Sequence, residues 1–237
     1  MKKLVKVLIS LVILISLLGG CVFYVNDYYR TDGDVLSEYT ESSSVNIEYS
    51  GDVIVTRAEE SRVGLIFYPG GKVEYTAYLP LMLSLSEGGV SCFLVKMPLN
   101  LAVLDPGAAD GIAEAHPEIT EWYIGGHSLG GSMAASYIAK TEGFSGLILL
   151  ASYSTADVSH LPVLSILGSE DGVMNREKYE KYKANLPESF SETVIEGGNH
   201  AGFGIYGEQE GDGKATITGA EQISLTADTI LNFINKK

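Results

Sequence analysis

The sequence has little cysteine, little tryptophan and little positive charge. It holds two cysteines and one tryptophan, and its 16 lysines and arginines face 30 aspartates and glutamates, a net charge of −14. Three of the 16 basic residues, Lys2, Lys3 and Lys6, precede Asp27. That leaves 13 basic against 30 acidic residues in the remainder, a net −17. Such a surface repels phosphate backbones, which argues against nucleic acid as a partner and against polyanionic substrates. Neutral esters and amides stay open. The two cysteines do not read as a pair. Cys21 closes an apolar N-terminal run, and Cys92 lies in the apolar run 90–95, where a buried free thiol behaves as a small hydrophobe. No disulfide framework and no Cys/His spacing of the metal-binding kind is present. No metal and no cofactor is therefore expected, and there is no internal repeat or low-complexity segment.

What is present begins with a basic start and a long apolar run. Lys2, Lys3 and Lys6 are followed by nearly unbroken apolar sequence over 7–25. Two readings of residues 1–25 compete. Leu18-Gly19-Gly20-Cys21 resembles a bacterial lipobox, in which Cys21 becomes the lipidated first residue. Alternatively, the run continues through Val22-Phe23-Tyr24-Val25 as an uncleaved signal anchor of about 19 apolar residues. Both keep the lysines on the cytoplasmic side and put the rest of the chain outside the cell membrane. Tyr24, Tyr28 and Tyr29 then fall at the interface, where a ring with a polar tip is well placed. Residues 26–44 are polar and read as a tether, with one domain over 45–237.

That domain alternates strand and helix. Runs 45–49 and 53–56 alternate apolar and polar around Ser50-Gly51-Asp52, the signal of an antiparallel hairpin. Largely apolar runs over 63–68, 90–95, 122–125, 146–150 and 162–167 suit strands buried on both faces, as in parallel sheets, and 192–195 reads as a further strand. Helical spacing occupies 75–86, 109–115, 129–140, 175–185 and 219–234. The expected class is α/β, a mostly parallel sheet with helices on both faces.

Gly126-His127-Ser128-Leu129-Gly130 lies where a strand turns into a helix, and that context gives the pattern its meaning. A sharp turn displays Ser128, Gly126 and Gly130 remove side chains that would clash, and the helix N-terminus offers N–H groups to a developing oxyanion. A serine hydroxyl needs a base, and the base needs an orienting carboxylate. His127 adjoins the serine but should point away across the turn, His116 precedes the nucleophile strand, and His160 reads as a surface connector. His200, in Gly197-Gly198-Asn199-His200 after the last strand, is the candidate base. Asp171 in Gly168-Ser169-Glu170-Asp171-Gly172 is the candidate acid, with Glu170 as fallback. The order Ser128, Asp171, His200 is that expected of nucleophile-elbow enzymes. Leu129 N–H supplies one oxyanion donor and Gly71 N–H, or failing that Lys72, the other.

These motifs, with Tyr68-Pro69-Gly70-Gly71, resemble the α/β-hydrolase superfamily over residues 60–237, in its dienelactone-hydrolase-like, small carboxylesterase-like branch. The resemblance implies the α/β-hydrolase fold, the triad roles and an acyl-enzyme mechanism on a small-molecule acyl substrate. Dienelactone hydrolases carry cysteine where this chain has Ser128, so their substrate does not transfer, and Pro69-Gly70 replaces the usual His-Gly pair. Only about ten residues separate the strands at 146–150 and 162–167, where relatives commonly insert a lid. An open site is expected. The loop holding Phe203, Tyr206, Glu208, Glu210 and Asp212 is expected to be solvated or to overhang the site. Three functions remain in play: an ester hydrolase, an acyltransferase on cell-envelope material, and a non-catalytic surface protein on the same scaffold.

Overall fold

A computed structural model describes residues 2–236, apart from the side chains at positions 2–4, 7, 8, 18, 21 and 23. Cys21 as a lipidation site thus lies outside the described residues. The first helix, α1, spans Lys2–Asn26. Its described apolar side chains from Val5 to Tyr24, among them Ile9, Val12, Ile15, Leu17 and Val22, are 50–62% exposed and join no core. Among the described residues no helix is long and apolar enough to cross a membrane.

Residues 26–44, expected as a free tether, are structured instead. Tyr29 pairs with Val73 in a parallel bridge, and helix α2 comes next at Gly33–Ser42. Asp32 caps α2 by accepting from the Asp34 and Val35 N–H groups. Val35, Leu36 and Tyr39, spaced along one face, pack on the core. The overlooked signal was an N-cap aspartate ahead of that apolar spacing.

An eight-stranded sheet forms the centre: β1 (Asn46–Ser50), β2 (Val53–Arg57), β3 (Val63–Tyr68), β4 (Ser91–Val95), β5 (Glu121–His127), β6 (Phe144–Leu150), β7 (Val163–Gly168) and β8 (Ser191–Ile195). Their spatial order is β1-β2-β4-β3-β5-β6-β7-β8. β1 and β2 pair antiparallel, β2 meets β4 antiparallel, and every later pairing is parallel. The apolar runs divide their side chains between two cores because successive residues of a strand face opposite ways. Leu65, Phe67, Cys92, Leu94, Ile148 and Leu150 point to one face, where α3 (Leu79–Glu87) and α7 (Gly219–Ile234) cover them. Ile66, Tyr68, Phe93, Val95, Leu147 and Leu149 point to the other, under α5 (Leu129–Ile138) and the 97–119 connection. That connection is mostly turns, so the expected helix at 109–115 shrinks to α4, Ile112–Ala115. Burial pushes the Cys92 thiol up to about 12, which keeps it protonated and inert.

The 75–86 segment is not one helix. Tyr75–Tyr78 is a tight 3₁₀ turn and α3 begins after it, with Pro80 in its first turn where no N–H is needed. Helix α6 (Arg176–Tyr182) likewise gives way to a 3₁₀ turn over Lys183–Asn185. α7 opens on a capping box in which Thr218 and Glu221 satisfy each other's backbone N–H. Its buried stripe (Ile223, Ala227, Ile230, Ile234) closes one face of the sheet. Thr218→Ala should cost about 1 kcal/mol and lower Tm by roughly 2–4 °C, measurable by calorimetry; an unchanged Tm would mean α7 docks without its cap.

Candidate active site

Parallel strands bring their C-terminal ends to one edge, and the candidate residues collect there. β5 ends at His127 and α5 starts at Leu129, so Ser128 alone makes the turn, with φ 52° and ψ −120°. That region is costly for a residue with a side chain and persists only where the surroundings enforce it. Here they do. A Cβ on Gly126 would sit 2.6 Å from the Tyr68 carbonyl oxygen, one on Gly130 would sit 2.2 Å from the Pro69 oxygen, and one on Gly131 would sit 2.7 Å from Gly126 O. The backbone is fixed as well. Ser128 N–H donates to Leu150 O at 2.9 Å, and the Ser152 hydroxyl donates to Ser128 O at 2.7 Å.

Asp171 and His200 come together from the loops after β7 and β8. Asp171 Oδ2 lies 2.9 Å from His200 Nδ1, and both side chains are almost wholly buried. The other oxygen, Oδ1, accepts from Val173 N–H at 2.9 Å and Met174 N–H at 2.8 Å. Burial pushes the Asp171 carboxyl up, but the His200 hydrogen bond and charge with those two N–H groups outweigh it, and the net shift is downward. An ionised Asp171 needs a donor at Nδ1, which leaves Nε2 of a neutral His200 free to accept a proton. Glu170, the fallback acid, is exposed and takes only its neighbour's Ser169 hydroxyl. The Ser128 hydroxyl makes no hydrogen bond to any described residue. In unliganded sites this contact is commonly long and tightens with substrate bound.

The loop after β3 lies against the nucleophile helix. A Cβ on Gly71 would come within 2.9 Å of the Leu129 side chain. Of its three successive N–H groups, Gly70 donates to the Tyr78 hydroxyl at 3.1 Å and Lys72 to Asn100 O at 2.8 Å. Gly71 N–H has no partner among the described residues, nor does Leu129 N–H at the start of α5. This removes Lys72 as the alternative donor.

The remaining histidines divide as their positions suggest. His160 is exposed; His116 is half-buried and 3.2 Å from Glu118. His127 does more than point away. It is 1% exposed, its ring centroid is 4.5 Å from that of His200, and its Nδ1 is 2.7 Å from the Tyr78 hydroxyl. That hydroxyl also accepts from Gly70 N–H, so Tyr78 links the Gly70–Gly71 loop to His127. Nε2 has no partner among the described residues. Burial above all, and then the His200 charge, hold His127 well below the usual histidine range.

Sequence reasoning also missed Asp212. Instead of a solvated acid, it accepts from His200 N–H at 3.2 Å, Ala201 N–H at 2.9 Å and Gly172 N–H at 3.1 Å, joining the histidine loop to the acid loop. Phe203 and Tyr206 of the same loop are buried in the core rather than overhanging the site. Among the described residues no group of three or more His, Cys, Asp or Glu is arranged to hold a metal ion.

His127 has a pH consequence. A histidine whose folded value is depressed contributes stability that is complete above its unfolded value of about 6.5 and is lost as pH falls below it, at up to about 1.4 kcal/mol per unit. His127→Gln keeps an acceptor for Tyr78 and removes the titration. Between pH 6.5 and 5, urea denaturation should show wild type losing stability faster than His127→Gln. Parallel curves would count against a neutral, buried His127.

The model of the Alpha/beta hydrolase family matches residues 64–224, from β3 into α7. No curated protein sequence matches the chain significantly. The fold is similar to solved structures with little sequence in common. One described as a predicted CIB-like hydrolase from Thermoplasma acidophilum aligns with a TM-score of 0.56 at 16% identity, covering 81% of this chain and 100% of that one. Est1E from Butyrivibrio proteoclasticus aligns with a TM-score of 0.55 at 15% identity over 82% and 100%. Dienelactone hydrolase from Anabaena variabilis gives 0.56 at 14% identity over 81% and 97%. With the family pattern running through the sheet, the elbow and the loops beyond it, the chain belongs to the alpha/beta hydrolase family.

Proposed function

We propose that this chain is a serine hydrolase that cleaves an ester or related acyl bond through an acyl-enzyme. The observation that carries the reading is Ser128 itself, a serine forced to φ 52° between β5 and α5 at the sheet edge that holds the buried Asp171–His200 pair. Ser128 Oγ attacks the acyl carbon while His200 Nε2 takes the hydroxyl proton. Asp171 holds the imidazole and stabilises its cationic form. The carbonyl oxygen becomes an oxyanion facing the Gly71 and Leu129 N–H groups. Collapse expels the leaving alkoxide, which takes the proton from His200. Water then repeats the sequence on the acyl-enzyme, with His200 as base, and releases the acid.

The domain works outside the cytoplasmic membrane in this reading, held there by its N-terminus. Support comes from Lys2, Lys3 and Lys6 ahead of the apolar run and from the exposed apolar side chains of α1. Mass spectrometry of the mature N-terminus separates the two anchors: a lipidated Cys21, or an intact Met1. A soluble chain with neither would overturn the location.

Fluorophosphonate labelling tests the chemistry. Wild type should label at one site, Ser128→Ala should not label, and His200→Ala should label at least about 10³-fold more slowly. Equal labelling of wild type and Ser128→Ala would overturn the reading. Residues 151–162 between β6 and β7 contain no helix, which favours an uncovered site. Short-chain esters should therefore be turned over, and a strict requirement for long acyl chains would contradict this.

A further inference from the structure

The stretch that joins α1 to the domain is built into the site. Tyr29 N–H donates to Lys72 O at 2.8 Å and Glu74 N–H donates to Tyr29 O at 2.9 Å, so the segment lies as a short parallel strand along the loop that carries Gly71. Further along, Thr31 N–H donates to Glu74 Oε2 at 2.9 Å, and the Thr31 and Thr76 hydroxyls are 2.6 Å apart. Before it, Lys72 Nζ donates to Asp27 Oδ2 at 2.7 Å. The same segment grips the loop after His200. Asp32 N–H donates to Ile205 O at 2.8 Å, Glu210 N–H donates to the Tyr29 hydroxyl at 3.2 Å, and the Tyr29 ring lies 5.7 Å from that of Tyr206.

What this clamps is a strained residue. Lys72, next to Gly71, has φ 58°, a left-handed conformation that a side chain resists and that packing must enforce. Three bonds enforce it: Val73 N–H donates to Gly70 O at 3.3 Å across the turn, Asn100 O holds the Lys72 N–H, and Tyr29 N–H holds its carbonyl. Loss of the Tyr29 bond would free the Lys72 carbonyl to turn toward water and leave the turn that carries Gly71 N–H held only by the Asn100 and Val73 bonds. Gly71 is the residue least able to resist, since it has no side chain.

We propose that the Asp27–Asp32 segment, through Tyr29, is a positioning element of the oxyanion hole: it aims Gly71 N–H at the reacting carbonyl oxygen and ties that loop to the loop bearing the base. The proposal rests on the serine-hydrolase reading and adds to it that the chain emerging from α1 is a working part of the site. Tyr29 touches no substrate and acts only through Lys72 and Gly71.

The test uses the full chain in detergent with a soluble ester and the matching thionoester. A thiocarbonyl sulfur accepts hydrogen bonds weakly, so the ester-to-thionoester rate ratio reports on the oxyanion donors. Rates are taken per active site titrated with fluorophosphonate, which removes any loss of folded enzyme. Removing one oxyanion donor outright costs roughly 10²–10³ in kcat, and a misaimed donor should cost less. Tyr29→Pro, which deletes the N–H to Lys72, should lower kcat about 10- to 100-fold, leave KM within about threefold and drop the ester-to-thionoester ratio. Tyr29→Ala keeps the backbone bonds but loses the ring and hydroxyl, and should move the same quantities less. Glu188→Ala, an exposed residue outside the segment, should change nothing. If wild type fails to label at Ser128, the parent reading falls. If wild type labels and Tyr29→Pro keeps both its kcat per site and its ratio, the positioning proposal falls. Should Tyr29→Pro not fold, Tyr29→Ala decides by the same two readouts.

Discussion

The close approach of three backbones at the nucleophile turn is the constraint on which the rest of the site depends. Gly126 and Gly130 sit against the carbonyls of Tyr68 and Pro69 at distances no side chain would tolerate. This holds β3, β5 and α5 in one register and leaves Ser128 no relaxed conformation to fall into. Everything else is arranged around that point. The Leu129 N–H is free because α5 begins there. Gly71 N–H is free because its neighbours' N–H groups are spent on Tyr78 and Asn100. The Asp171–His200 pair arrives from the two strands beyond β6 on the same edge.

A second layer of polar contacts stands behind the reacting groups. Ser152 holds the Ser128 carbonyl, Asp212 gathers the N–H groups of the histidine loop, and Tyr78 passes a hydrogen bond from Gly70 to His127. His127 then presents a neutral ring to the face of His200. In the proposed mechanism a neutral neighbour would suit His200, since a second charge so close would oppose its cationic form.

The fold was largely legible in the sequence because largely apolar runs flanked by glycine leave few options other than a parallel sheet, and the five runs each became a strand, as did the mixed segment 192–195. Helices were less legible where local signals conflicted. Pro80 broke the 75–86 segment, and 109–115 had too few turns to hold a helix against the pull of Tyr68, whose hydroxyl bonds Pro106 O and Ala109 N–H. At the site, Ser128, Asp171 and His200 each carried a local mark, a glycine neighbour and a preceding strand. Tyr78, Ser152, Asp212 and Tyr29 carry none. They act through contacts with residues 8 to 181 positions away, and a single sequence does not display such pairings. Residues 26–44 misled for a related reason: their polarity is that of a linker, but their hydrogen bonds are spent on the domain.

The short connection after β6 also bears on the fate of the acyl-enzyme. If Ser128 carries an acyl group as proposed, the connection between Leu150 and Val163 puts no helix over it. Acceptors would then be sorted by abundance and intrinsic nucleophilicity, and not by admission. Water dominates that competition in dilute solution, but a concentrated alcohol would divert part of the flux to a new ester. On the proposed reading, the boundary between hydrolysis and transfer would then be a partition ratio set by the medium.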